Sequence, residues 1–311
     1  MMMPKSGSTI ERYLQILNNK KVLDTTQVGL IHRWGERVAL DIGVTEIEEW
    51  LKAVKRESHF KNPTLDKMRR VMSLVYKHSQ RHGLIPRNVE SNPVKLVRCA
   101  VKSNYKAITI QPEQAFAILE LLPQPERTLT LLIAATGLRI SECLGLRWDD
   151  VDFAGQQIHV RRTWTGGQVG NPKSETSAGV VPLHPVLAGY IQEWRRQTIY
   201  AQPTDWVFAS ARLKGKKPRV ANMLVEDYLR PAAVKIGVLK EGENVRFGFH
   251  NLRHSLASYL VRTKHDPKTV QDMLRHSDVK TTLGIYTQSM TEDRLLAQGE
   301  MLKAIFPETV N

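Results

Sequence analysis

Residues 135–142 read Ala-Thr-Gly-Leu-Arg-Ile-Ser-Glu. They follow the apolar run Leu131 to Ala135 and carry the punctuation of a corner. Gly137 permits the tight backbone that closes a helix. Ser141 is a candidate cap for the next helix. Arg139 sits at the break, where the positive end of a helix adds to its own charge. Alone, the octapeptide is a helix–turn–helix corner with a solvated arginine. Three further segments change that reading.

The stretch Asn-Pro-Lys-Ser-Glu-Thr-Ser-Ala-Gly-Val-Val-Pro-Leu (171–183) puts Lys173 in a loop between strands. The stretch His-Asn-Leu-Arg-His-Ser (250–255), taken as a helix, brings His250, Arg253 and His254 to one side. His250 and His254 have the spacing of a metal pair, but no acidic residue lies between them and cysteine ligands are lacking, so no metal is expected. The stretch 274–287, Leu-Arg-His-Ser-Asp-Val-Lys-Thr-Thr-Leu-Gly-Ile-Tyr-Thr, supplies His276 and Tyr286.

Around these segments, apolar periodicity predicts helices over 8–21, 25–39, 45–56 and 64–82, then 112–122, 126–136, 184–198, 222–236, 250–263, 267–274 and 292–304. A helix after Arg139 closes over Trp148 to Val151. Gln157–Trp164 and Gly179–Leu183 read as strands, with Gly166-Gly167 as a turn. The expected fold is mainly α with a small antiparallel β-sheet. Residues 1–103 form a helical bundle and 108–311 a second domain, with a polar linker at Lys102 to Lys106.

The 311 residues carry 45 Lys+Arg against 31 Asp+Glu, a net charge of +14. An excess of this size suggests a polyanionic partner, either nucleic acid or an anionic membrane face. Residues 52–106 hold 14 basic and 3 acidic side chains, so the excess is concentrated there. Within that block Leu65, Met68, Val71, Met72 and Val75 fall on one helical arc, and Lys67, Arg70, Lys77 and Arg81 on the opposite one. Arg212, Lys214, Lys216, Lys217 and Arg219 form a second basic cluster, readable as phosphate contacts or as a disordered loop. Two cysteines, Cys99 and Cys143, exclude a disulfide scaffold and fit a reducing compartment, the cytoplasm. No apolar run approaches the ~20 residues of a membrane helix, and no signal peptide is apparent.

Taken together, Arg139 in TGLRISE, Lys173, His250 and Arg253 in HNLRH, His276 in RHSD and Tyr286 in GIYT resemble the tyrosine recombinases, the phage integrase family. The order and spacing of the six positions agree with that family. The resemblance covers the whole chain: residues 8–102 look like the core-binding, SAM-like helical domain, including GLIPRNVESNPV at its exit, and 108–311 like the catalytic domain. Two departures stand out. Arg275 precedes His276 where the family commonly has glycine, and Ala178-Gly179 stands where many relatives carry basic residues. A separate arm-site domain is expected to be absent.

The chemistry has a use for each of these residue types. Cutting a phosphodiester without a metal needs a nucleophile, cations on the non-bridging oxygens and a proton for the leaving 5′ oxygen. A tyrosine, here Tyr286, can attack and leave a covalent phosphotyrosine. Two arginines, Arg139 and Arg253, can fork onto the non-bridging oxygens. On this reading Lys173 is the general acid, His250 takes the tyrosine proton, His276 bonds the phosphate and Glu142 orients Arg139 or simply favours the helix start. No cofactor is needed, because the covalent bond conserves its energy. The resemblance implies recombination sites in double-stranded DNA, a tetramer on two duplexes from a monomer free of DNA, and accessory DNA-bending proteins. Two other readings are a catalytically silent DNA-binding or architectural protein and a type IB topoisomerase-like enzyme.

Overall fold

The computed structural model describes residues 7–19, 22–23, 26–58, 60–99, 107–172, 179–275, 279 and 282–285. The chain forms two compact units, 1–106 and 107–311. Lys173, Ala178, His276, Tyr286, the expected linker 102–106 and the expected helix 292–304 lie outside the described residues. Among the described residues no helix is long and apolar enough to cross a membrane.

In the first unit, helices α1 (Gly7–Leu17), α2 (Leu30–Trp34), α3 (Val44–Glu57) and α4 (Asn62–Arg81) enclose one core. α3 buries Ile47, Trp50, Leu51 and Val54, three and four residues apart, as an amphipathic helix must. Trp34 meets Trp50 edge to face with 5.9 Å between ring centroids. The apolar arc of α4 differs from the expected one. Val75 is exposed, and Tyr76 takes the buried place while its hydroxyl donates to Ala39 O at 2.7 Å. A large ring with a satisfied hydroxyl gains more from burial than valine does.

The expected helix 25–39 is cut to five residues. Before α2, β1 (Val22–Leu23) pairs antiparallel with β2 (Thr26–Gln27), and after it comes a 3-10 turn at Ala39–Asp41. β-branched Thr26 and Val28 favour an extended chain. Gly29 then passes so close to Asn19 that a Cβ would lie 2.2 Å from its carbonyl oxygen.

The second unit opens with α5 (Pro112–Leu121) and α6 (Glu126–Thr136), whose Leu129, Leu132 and Ile133 are fully enclosed. α7 (Ile140–Leu144) stops well before Val151, contrary to expectation. At Gly145 the chain runs against Arg162, whose carbonyl oxygen would be 2.7 Å from a Cβ, and Trp148–Asp150 forms a separate 3-10 turn.

Strands β3 (Val151–Asp152), β4 (Gln157–Val160), β5 (Thr163–Thr165), β6 (Gln168–Gly170) and β7 (Gly179–Pro182) follow. They form an antiparallel sheet of order β3-β4-β7, with Ile158 opposite both Val151 and Val181, and a separate β5–β6 hairpin turned at Gly166-Gly167. The single strand expected over 157–164 is broken because two arginines turn onto one carboxylate. Buried Asp150 accepts from Arg161 Nη1 at 3.2 Å and from Arg162 Nη1.

After α8 (Pro185–Gln197), the expected helix 222–236 is α9 (Ala221–Leu224) and α10 (Arg230–Lys235) joined by a π-helical turn at Val225–Leu229. Pro231 has no N–H to offer the preceding turn, and a wider turn accommodates that. α11 (Phe249–Arg262) and α12 (Pro267–Leu274) follow, and residues 282–285 are again helical.

Candidate active site

The corner after α6 is built on Gly137, which takes φ +66°. A Cβ there would lie 2.7 Å from Leu274 Cδ2, so the corner is packed against the end of α12. Left-handed strain and overpacking together make Gly137→Ala costly, by about 2–4 kcal/mol. Thermal denaturation is expected to show a midpoint several degrees lower; an unchanged midpoint would mean that the corner yields.

Ser141 does not cap α7. Arg139 occupies the cap position, and its backbone N–H donates to Glu142 Oε2 at 3.0 Å. Arg139 Nη1 donates to Glu142 Oε1 at 2.7 Å. A carboxylate reaching back in this way starts the helix and aims the arginine at once. Glu142 is deeply buried, whereas the Arg139 side chain is about one-third exposed. Arg275 Nη2 donates to Glu142 Oε2 at 2.6 Å.

α11 brings the second arginine. Asn251 donates through Nδ2 to Ile108 O at 3.0 Å, and Ser255 Oγ accepts from Ile110 N at 2.7 Å, which pins α11 to the segment before α5. Arg253 is buried, and its Nη1 and Nη2 donate to Gly137 O and Leu274 O. One guanidinium thereby ties the end of α6 to the end of α12.

The charges of this cluster are coupled. Burial pushes the Arg253 pKa down to about 9; Arg139 and Arg275 push the same way and Glu142 opposes them. The group stays cationic at neutral pH. Arg275 is likewise pushed down by burial, with Glu142 opposing and Arg139 adding to the shift. Three guanidinium groups around one carboxylate leave a net positive centre, suited to a phosphate.

His250 opens α11 next to this centre. Its pKa is held below the ordinary 6.5, first by partial burial of the ring and then by Arg253, Arg246, His254 and Arg139. The imidazole is therefore mainly neutral at pH 7 and able to accept a proton. Ile285, the residue before Tyr286, packs with Ala257, Val261, Val270 and Leu274.

Residues 109–293 match the family model described as the phage integrase family. The chain belongs to the phage integrase family. It is 26% identical to tyrosine recombinase XerA of Pyrococcus furiosus over 58% of this chain, and spans 57% of the length of that relative. It is 27% identical to tyrosine recombinase XerC of Pseudomonas syringae pv. tomato, over 91% of this chain and 85% of the relative. In fold it is similar to the integrase of transposon Tn1549 in complex with transposon right end DNA, with a TM-score of 0.69 and 20% identity over 96% of this chain and 95% of that one.

On this chain the two basic clusters are less uniform than their sequence. Lys67 is half-buried, Lys77 and Arg81 are exposed, and Arg70 Nε bonds the buried Asp66 at 2.7 Å. The segment 212–219 is an ordered hairpin: Ser210 N donates to Lys217 O at 2.9 Å and Arg219 N to Phe208 O at 3.0 Å. Arg212, Lys214, Lys216 and Lys217 are exposed on it. Arg219 instead pairs with buried Glu126 at 2.6 Å and lies over the Tyr228 ring. Sequence reasoning noted Arg275 as a departure but missed its bond to Glu142. It also missed Asp66 beneath the α4 stripe. The one cue was a large cation where the chain leaves α12.

Proposed function

We propose that this member of the phage integrase family is a site-specific DNA recombinase, which cleaves and rejoins strands through a covalent 3′-phosphotyrosine without metal or ATP. The observation that carries the reading is the joining of Arg139 and Arg253, from α7 and α11, in one positive cluster organised by Glu142. Their forked donors hold the two non-bridging oxygens and stabilise the charge that grows on them as phosphorus is attacked. Tyr286 is the nucleophile. His250, neutral at working pH, takes its proton and returns it on religation. Lys173 protonates the leaving 5′ oxygen, and His276 bonds the phosphate. Religation to a partner strand gives recombination, with the phosphoester energy kept in the tyrosine ester.

In this reading residues 1–103 bind the core site and 108–311 carry the chemistry. The active assembly is four copies on two duplexes, formed from monomers and aided by DNA-bending proteins, in the cytoplasm where the nucleoid lies. Lys67, Arg70, Lys77 and Arg81, with Arg212, Lys214, Lys216 and Lys217, contact backbone phosphates; Arg219 serves its own ion pair first. Replacing Lys67, Arg70 and Lys77 together with alanine is expected to weaken DNA binding and to flatten its log–log salt dependence by about 0.9 for each phosphate no longer neutralised. An unchanged slope would assign that stripe to solvent.

The test of function starts from a pool of nicked duplexes with randomised sequence. Wild-type protein is expected to capture a defined sequence as an adduct that survives a denaturing gel. Specific binding without an adduct would make the protein architectural. Relaxation of any supercoiled plasmid, with no site requirement, would make it a topoisomerase.

A further inference from the structure

Arg275 stands where the backbone favours glycine. It follows α12 at φ +50° and ψ +49°, the left-handed region in which a Cβ crowds the neighbouring carbonyl. Its side chain is 7% exposed, so a cation has been taken out of water as well. Nη2 donates to Glu142 Oε2 at 2.6 Å, yet Nε and Nη1 are buried with no hydrogen-bond partner among the described residues. Strain, desolvation and two orphaned nitrogens all weaken the fold. Glycine at this position would avoid all three.

The compensation lies in Glu142. This buried carboxylate holds both the backbone N–H and the guanidinium of Arg139. A carboxylate out of water keeps its charge and its orientation when cations grip it from more than one side. Arg275 is the second cation, and it approaches from α12 while Arg139 approaches from α7. We propose that Arg275 is a positioning residue for strand transfer. It locks Glu142, and through Glu142 it fixes the Arg139 guanidinium in the orientation that receives the scissile phosphate. The inference rests on the recombinase reading and adds to it a fixed point that Arg139 alone would lack.

The test compares Arg275→Gly, Arg275→Lys, Glu142→Gln and the double variant Arg275→Gly/Glu142→Gln. The probe is the nicked duplex that wild-type protein captures from the randomised pool. Arg275→Gly is expected to unfold at the wild-type temperature or above it. Its single-turnover adduct formation is expected to be about 10–100-fold slower, the scale of removing a group that orients a metal-ligating side chain. Arg275→Lys, which can still pair with Glu142, is expected to recover part of that rate. In the Glu142→Gln background the lock is already broken, so adding Arg275→Gly is expected to change the rate little.

A wild-type adduct rate in Arg275→Gly would overturn the inference and leave the recombinase reading standing. So would fully additive losses in the double variant, or a rate loss that tracks a fall in unfolding temperature. A wild-type protein that captures no duplex would overturn the recombinase reading, and this inference with it.

Discussion

Arg253→Lys is expected to form the covalent adduct about 10³-fold more slowly than the wild type, the scale of losing one aligned donor to a developing oxyanion. It is also expected to unfold at a lower temperature. Both effects follow from the guanidinium fork. Arginine has five N–H donors. Two of them go to Gly137 O and Leu274 O, which fixes the plane of the group and leaves donors for a phosphate. A lysine ammonium is a single point. It cannot span the ends of α6 and α12, so a buried carbonyl loses its donor, at a cost of about 1–3 kcal/mol. Burial also lowers the pKa of an ammonium, and Arg139 and Arg275 press on this position. Single-turnover kinetics and thermal unfolding check the two effects separately. A rate within tenfold of wild type would remove Arg253 from the phosphate.

Lys173→Ala is expected to slow cleavage about 10²–10⁴-fold, the range of general acid catalysis. The loss is expected to vanish on a duplex whose scissile 5′ oxygen is replaced by sulfur. An alkoxide leaves poorly without a proton, whereas a thiolate leaves without one. The sulfur substrate separates a proton-donor role of Lys173 from a role of that residue in binding or folding. A defect that persists on sulfur would give the proton to another group.

The sequence exposed what local chemistry controls. α6 and α12 start and stop at the expected residues because the signals sit next to them. Asp266 Oδ2 accepts from Lys268 N at 2.9 Å and Thr269 N at 3.0 Å at the head of α12, and Gly137 turns left-handed at the foot of α6. Arg139, Arg253 and Glu142 stood out as polar residues at a corner and on a helix. What stayed hidden depends on partners far along the chain. Arg275 and Glu142 are 133 residues apart, and no local pattern announces their bond. Arg219 read as a candidate for phosphate contact because its partner Glu126 lies far back in the chain, at the start of α6. The break between β4 and β5 follows from Asp150 drawing in Arg161 and Arg162, and the alternation of apolar and polar residues there gave no sign of it. Ser141 looked like the cap because serine caps helices well. The cap position is two residues earlier, at Arg139, and Ser141 lies inside α7.

The nucleophile is the point at which the whole chemical scheme meets a single atom. Wild-type protein trapped on its nicked duplex can be digested with trypsin and the nucleotide-bearing peptide sequenced by mass spectrometry. The 3′-phosphonucleotide is expected on Tyr286 and is expected to be absent from Tyr286→Phe. A nucleotide on any other side chain, or an adduct that forms as well in Tyr286→Phe, would contradict a Tyr286 attack on a phosphate held by Arg139 and Arg253.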